Sequence, residues 1–387
     1  MRGVTDLASM MAARTAEDFR TAGSLKWTTY PHTIGAWVAE MDFGLAPVIE
    51  DAIRPLLSKR LTGYTPMSLR EELQQATTEW LAHRYHWQIR PEQVMALPDV
   101  LTGLTILLNH LAPQGKVIVP TPAYMPFLDM PAAHGRDLIE LPMIRHEDHW
   151  EFDYDGLERA FADGGRVLIM CNPHNPIGKM YSADEMRKIA EIVDAHDGWV
   201  FNDEIHAPLT YSGRQHVPYP TVSEAAARHS VTAMSASKSF NIAGLKCAQL
   251  IVTNPEQQQW ISQHAHGLPY SAAGLGVVAN IAAFRHGEPW LNEVIGYLEH
   301  NRDLALQLVA DKLPKVDVIK PEATFLLWLD CSQTGLDDPM NQFLAAGVAM
   351  NDGLTCGQVG ARHVRFNFAT STGVIEEAID LMARALA

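Results

Sequence analysis

Cysteine is scarce and scattered. Cys171, Cys247, Cys331 and Cys356 are the only four in 387 residues, and they form neither a zinc-like spacing nor a disulfide framework. No metal site is expected, and a reducing compartment, the cytoplasm, is the expected setting. Positive charge is short as well: 30 Lys and Arg against 45 Asp and Glu leave a formal net charge of -15, which speaks against nucleic acid or an anionic membrane as a partner. No apolar run is long enough to span a bilayer. Residues 1–20, interrupted by Asp6, Glu17 and Asp18, lack the apolar core of a secretory signal. A glycine-rich nucleotide fingerprint, internal repeats and low-complexity tracts are also missing, so nothing asks for a binding array or a disordered tail.

What is present reads as an α/β enzyme. The length exceeds what one core ordinarily takes, so two domains are expected: a large one over 46–280 and a small α+β one over 281–387, joined by an amino-terminal arm, 1–45. Short apolar runs at 117–119, 167–170, 199–202, 231–234 and 250–252 alternate with helical patterns, as a mostly parallel sheet with covered faces requires. Ser68 with Glu71 and Ser182 with Glu185 carry the capping-box signature, predicting helix starts at both places. Residues 275–308 read as one long helical region, followed by strand-like runs at 316–319 and 324–328.

Polar residues sit just beyond four of those runs. Lys238 lies in Ser235-Ala236-Ser237-Lys238-Ser239, Asn175 in Cys171-Asn172-Pro173-His174-Asn175-Pro176, Asp203 in Asp203-Glu204-Ile205-His206, and Tyr124 in Pro122-Ala123-Tyr124. Open α/β sheets hold ligands outside the carboxyl ends of their strands, so these groups are expected to share one site. Their chemistry suits pyridoxal phosphate. A lysine can hold the aldehyde as a Schiff base, a buried carboxylate such as Asp203 favours a proton on the ring nitrogen, Asn175 can donate to the ring hydroxyl, and Tyr124 offers a flat face to the ring. Each residue also has a plainer reading. Lys238 alone fits a solvated loop, Tyr124 a rigid turn, and Ser235 and Ser237 local turn capping.

Two further segments complete the pattern. Asp99-Val100-Leu101-Thr102-Gly103 precedes an apolar stretch, so its N–H groups and the Thr102 hydroxyl can receive a dianion at a helix start. Arg365, in the alternating segment Val364-Arg365-Phe366-Asn367-Phe368, needs an anion, either a substrate carboxylate or an internal acid.

This combination resembles the fold-type I pyridoxal phosphate enzymes of the class I/II aminotransferase superfamily, and within it the cystathionine β-lyase group of the MalY/PatB kind. The resemblance runs through Lys26-Trp27, Trp37-Val38-Ala39-Glu40-Met41-Asp42-Phe43, Gly63-Tyr64, the segments above and Glu322-Ala323-Thr324-Phe325. It implies a seven-stranded, mostly parallel sheet. It places the phosphate on Val100, Leu101, Ser235, Ser237 and Lys246, the substrate on Ala39, Asn175 and Arg365, and His206 beside the cofactor, with His174 holding Asp203. It makes Tyr64 reach the other subunit of a homodimer, and gives Lys238, Tyr64 and Tyr124 catalytic roles. The implied reaction is α,β-elimination from a small amino acid, cystathionine or another cysteine S-conjugate, yielding a thiol, pyruvate and ammonia. An aminotransferase, or a regulatory protein on the same scaffold, is the alternative. Two positions depart from the family pattern: Glu40 stands where aspartate is usual, and Lys246 where many aminotransferases have arginine.

Overall fold

The central strands are apolar at consecutive positions because both their faces are covered. In the computed structural model, which describes residues 7–264 and 271–387, Ile118, Leu168, Met170 and Val200 turn to one side of a sheet and pack with Phe161, Ile189 and Val193. Val119, Ile169, Phe201, Val231 and Leu250 turn to the other, against Leu104, Leu107 and Phe127. Two-residue alternation on a sheet covered twice is what makes the runs continuous in sequence.

The sheet has seven strands: β1 (Val94–Leu97), β2 (Lys116–Thr121), β3 (Leu138–Pro142), β4 (Gly165–Cys171), β5 (Trp199–Asp203), β6 (Ser230–Met234) and β7 (Ala248–Val252), in the order β1-β7-β6-β5-β4-β2-β3. Only β7 runs against its neighbours. Register aligns Cys171 with Asp203 and Asp203 with Ala233, so β4, β5 and β6 end level and their following residues crowd one edge. A second, four-stranded sheet contains β8 (Asp317–Val318), β9 (Leu326–Asp330), β10 (Asn351–Asp352) and β11 (His363–Asn367), all antiparallel, in the order β8-β9-β11-β10. The arm joins this carboxyl-terminal part directly, with Ile34 and Gly35 pairing in parallel with Val348 and Ala349.

The Ser182–Glu185 capping box forms as expected, with Glu185 N–H donating to the Ser182 hydroxyl at 3.2 Å and Ser182 N–H to the Glu185 carboxylate at 2.8 Å. Two expectations need correction. The helix Met67–Tyr85 starts ahead of Ser68: Pro66, with its fixed φ, is the N-cap, which leaves Ser68 inside the first turn without a capping role. The long helical region is two helices, Gly274–His286 and Glu288–Lys312. Pro289 opens the second and cannot donate into a continuing ladder, and Gly287 has no room for a Cβ against the Phe240 ring.

A buried ion pair fastens the arm. Lys26 donates to the Asp42 carboxylate at 2.9 Å and to the Ala369 carbonyl at 3.2 Å, while the Trp27 indole donates to the other Asp42 oxygen at 2.9 Å. The Lys26 side chain is 0% exposed and that of Asp42 5%, so neither charge has water as an alternative partner. Breaking one half of such a pair strands the other. Lys26→Met should lower unfolding free energy by about 3–5 kcal/mol in a urea titration, and Lys26→Met with Asp42→Asn by clearly less, because no lone charge remains.

Candidate active site

Beyond β6 the chain folds back on itself. Ser235 donates to the Cys247 carbonyl at 2.7 Å and accepts from Ser237 N–H at 3.0 Å, while Ala236 N–H is held by Asn280 at 3.2 Å. This tight turn brings Lys238 inward. Its Nζ donates to the Ala39 carbonyl at 3.0 Å. Burial depresses the ammonium's pKa to about 8, aided by the Arg365 charge, with Glu40 and Asp203 acting the other way.

Asp203 closes β5 from the buried side. Its carboxylate accepts from Ile205 N–H at 3.0 Å, yet burial raises its pKa to about 7; the Ile205 N–H and Lys238 oppose that rise and Glu204 adds to it. The site thus holds an amine of lowered basicity and an acid of raised pKa, each poised to change charge near neutrality. His206, also buried, has no partner for Nδ1 and is pushed down to about 3 by burial, Lys238 and Arg365. It is a neutral ring, supporting the site without carrying protons.

Arg365 comes from β11 of the other sheet. Its guanidinium donates to Asn175 Oδ1 at 3.1 Å, to the Trp37 carbonyl at 2.8 Å and to Asn351, while Nε has no partner. Among the described residues no acid pairs with it. A fully buried cation held only by neutral acceptors is a receptor for an anion. Asn175 is therefore engaged by Arg365. Tyr124 is half-buried with its ring edge-on to Phe127 at 5.4 Å, and burial and the Asp203 charge keep its hydroxyl protonated.

The phosphate residues are less uniform. Asp99 is the N-cap of the helix Val100–Ile106, accepting from Thr102 N–H at 3.0 Å and from the Thr102 hydroxyl at 2.8 Å. The Thr102 hydroxyl is thus engaged by the cap, contrary to its expected phosphate role. The Val100 and Leu101 N–H groups, at the first two helical positions, take no acceptor among the described residues and remain open to an anion. Lys246 lies beside them, 3.1 Å from Asp99. His174 does not hold Asp203. It donates through Nε2 to the Pro122 carbonyl at 2.8 Å and accepts from the Tyr181 hydroxyl at Nδ1, also 2.8 Å, because it points under β2 and not along β5. Tyr64 is fully exposed, with its side chain away from this cluster, and Leu57, Leu61 and Met67 are exposed near it in sequence.

Several participants escaped the sequence reading. Asn367 donates to the Val38 and Glu40 carbonyls, each at 2.7 Å, and Asn241 donates to the Met41 carbonyl at 2.8 Å while accepting from Met41 N–H at 2.9 Å. With Arg365 on Trp37 and Lys238 on Ala39, every carbonyl from 37 to 41 meets a side-chain donor. The signal for Asn367 was available: it stands two residues from Arg365 on one strand, hence on the same face. The residues present fit pyridoxal phosphate on three observations: a depressed lysine facing a buried carboxylate, open N–H groups at a helix start, and a buried arginine without a counter-anion.

Comparison with known proteins agrees. The model of the family "Aminotransferase class I and II" matches residues 38–381. The cystathionine beta-lyase of Corynebacterium glutamicum is 36% identical over 376 residues, 96% of this chain and 98% of that one. Cystathionine beta-lyase PatB of Bacillus subtilis is 32% identical, covering 94% of this chain and 96% of its own. Among solved structures, one assigned as a PLP-dependent beta-cystathionase from Corynebacterium diphtheriae superposes with a TM-score of 0.92 at 38% identity, covering 97% of this chain and 99% of that one.

The electrostatics of Lys238 can be read directly in the cofactor-free protein. A pKa of about 8 in place of 10.5 means that free amine appears about two units lower than on an ordinary lysine. Reductive methylation followed by peptide mass spectrometry should show Lys238 labelling rise through pH 8. Arg365→Leu should shift the Lys238 transition upward, since one positive neighbour is removed.

Proposed function

Because the chain belongs to the class I and II aminotransferase family, we propose that it is a pyridoxal-phosphate-dependent carbon–sulfur lyase releasing a thiol, pyruvate and ammonia from cystathionine or another L-cysteine S-conjugate. The observation that carries this reading is the meeting of Lys238, Asp203 and Arg365 at one strand edge, in a chain whose lyase-named relatives match it almost end to end.

Bound pyridoxal phosphate supplies the electron sink for charge that develops at the substrate Cα. Asp203 would support that sink by holding a proton at the ring nitrogen, the N–H groups of Val100 and Leu101, with Ser235, Ser237 and Lys246, would bind the phosphate, and Tyr124, His206 and Asn175 would line the place of the ring. Arg365 takes the substrate α-carboxylate through the guanidinium edge that has no acid partner, orienting Cα toward Lys238. Lys238 is the base for the Cα proton. Its lowered pKa makes the free amine accessible near neutrality without discarding its basicity. The Cβ–S bond then breaks, the sulfur leaves with the bonding pair and is protonated to the thiol, and the three-carbon enamine, once released, takes up one water to give pyruvate and ammonia. The fastened segment 37–41, with Ala39 at its centre, walls the substrate side from water.

Incubation with cystathionine should give homocysteine, pyruvate and ammonia in equal amounts. Transfer of the amine to an added keto acid without thiol release would overturn the lyase reading in favour of an aminotransferase. Lys238→Ala should lower elimination by roughly 100- to 10,000-fold or more while lowering the melting temperature only by what the unpaired Ala39 carbonyl costs.

A homodimer belongs to the same reading. Tyr64 projects wholly into solvent in the single chain, with the exposed apolar side chains Leu57, Leu61 and Met67 nearby in sequence, which suits a residue whose site lies on a second copy. The four cysteines are free, buried thiols, which suits a cytoplasmic enzyme. Among the described residues no helix is long and apolar enough to cross a membrane. Dimers re-formed from equal amounts of Lys238→Ala and Tyr64→Ala chains should recover about a quarter of wild-type activity, since half the dimers are hybrids and each hybrid has one intact site if Tyr64 serves its partner. If Tyr64 serves its own chain, no recovery occurs.

A further inference from the structure

Glu204 takes no part in the chemistry above, yet it is among the most enclosed charged groups of the chain, 2% exposed. Alternation along the end of β5 puts Asn202 and Glu204 on the face opposite Asp203. There, Glu204 Oε1 accepts from the Asn202 side-chain amide and from Tyr219 N–H, the latter at 3.0 Å. Its Oε2 lies 3.1 Å from Nε2 of His216, a ring fully buried against the edge of Tyr85 at 5.1 Å. The approach to His216 is too oblique for a hydrogen bond, so that contact is electrostatic. The Glu204 main chain is fixed too, its N–H donating to the Ala233 carbonyl of β6 at 2.8 Å and its carbonyl accepting from Ala207 N–H at 2.9 Å. One carboxylate therefore binds β5, the turn 204–207 and the segment 216–219 together, immediately behind the residues that face the cofactor.

We propose that Glu204 is a positioning residue: by accepting from Asn202 and Tyr219 at one oxygen, it fixes the strand end from which Asp203 and His206 face the cofactor. The inference rests on the cofactor reading above. Without these bonds the turn loses its side-chain hydrogen bond to 216–219, and the Asp203 carboxylate, which among the described residues accepts only from the Ile205 N–H, is less firmly aimed. Outer hydrogen-bond partners of this kind are commonly worth 10- to 100-fold in ligand affinity or activity.

The test uses three variants. Glu204→Leu keeps the volume and removes both acceptors, Glu204→Gln keeps an acceptor oxygen without the charge, and Asn202→Ser removes one donor. Pyridoxal phosphate affinity is read from the visible band during titration of the cofactor-free protein, beside its melting curve and steady-state kinetics with cystathionine. The expected result for Glu204→Leu is cofactor binding weakened by about 10- to 100-fold, a displaced band and a reduced kcat. KM should stay near wild type, because Arg365 is carried by another sheet. Glu204→Gln should restore most of the loss, and Asn202→Ser should show a smaller defect of the same kind. A Glu204→Leu protein with wild-type band and affinity overturns the proposal. So does a Glu204→Gln protein as defective as Glu204→Leu, since charge and not hydrogen bonding would then be what matters. If Glu204→Leu does not fold, Asn202→Ser decides, and wild-type cofactor binding there overturns it. A wild-type chain that develops no band overturns the cofactor reading itself, an outcome visible without any variant.

Discussion

Five consecutive carbonyls, from Trp37 to Met41, are held by side chains drawn from other parts of the molecule, and the site depends on that arrangement. A loop buried beside a ligand cannot leave its peptide groups unpaired, since each would cost free energy comparable to a lost hydrogen bond. Lys238, Arg365, Asn367 and Asn241 meet that need, and in doing so their own positions are fixed. The same contacts satisfy the loop and aim the reactive groups. Lys26 continues the arrangement outward, its ammonium shared among Asp42, Ala369 and, at 3.5 Å, the Glu40 carbonyl.

Burial then sets the chemistry. Lys238 and Asp203 are displaced toward neutrality from opposite directions, and in both cases loss of water is the first cause; the Arg365 charge comes next for Lys238, while for Asp203 the Ile205 N–H comes next and opposes the shift. Arg365 lowers Lys238 while Asp203 and Glu40 raise it, so the amine's basicity is a balance among neighbouring charges. Replacing one of them alters more than its own contact. The histidines are the reverse case. His206 and His174 are pushed so far down by burial, to about 3 and about 4, that their value is geometric, as fixed neutral donors and acceptors.

Much of this was legible in the sequence where local rules apply. Five of the seven strands of the large sheet were marked by short apolar runs, while β1 and β3 were not, and the residues following β4, β5 and β6 could be assigned to one edge because ligands lie outside the carboxyl ends of such strands. The Ser182 cap was legible because a strand, a loop and a helix follow each other without competition. Where local signals compete, the sequence misleads. Pro66 pre-empts Ser68, and Pro289 with Gly287 divides what periodicity joins. The roles of Asn367, Asn241 and Glu204 were hidden for another reason: their partners lie far away in the chain, and only the topology brings them together. His174 shows the same limit, since its side chain runs beneath Pro122, which no spacing from Asp203 reveals.

The pairing of arm and carboxyl terminus has a consequence for synthesis. Lys26 meets Ala369, Asn367 meets Val38 and Glu40, and Arg365 meets Trp37, contacts that join the first tenth of the chain to its last. A ribosome-bound chain that has released Asp203 and Lys238 has yet to make Arg365 and Asn367, and its loop at 37–41 lacks their fastening at Trp37 and Val38. Contacts between chain ends are the last to become available during vectorial folding. The nascent protein can therefore assemble its large sheet early and stay structurally incomplete at this site until β11 docks, so that the site is finished by the last strand and not by Lys238.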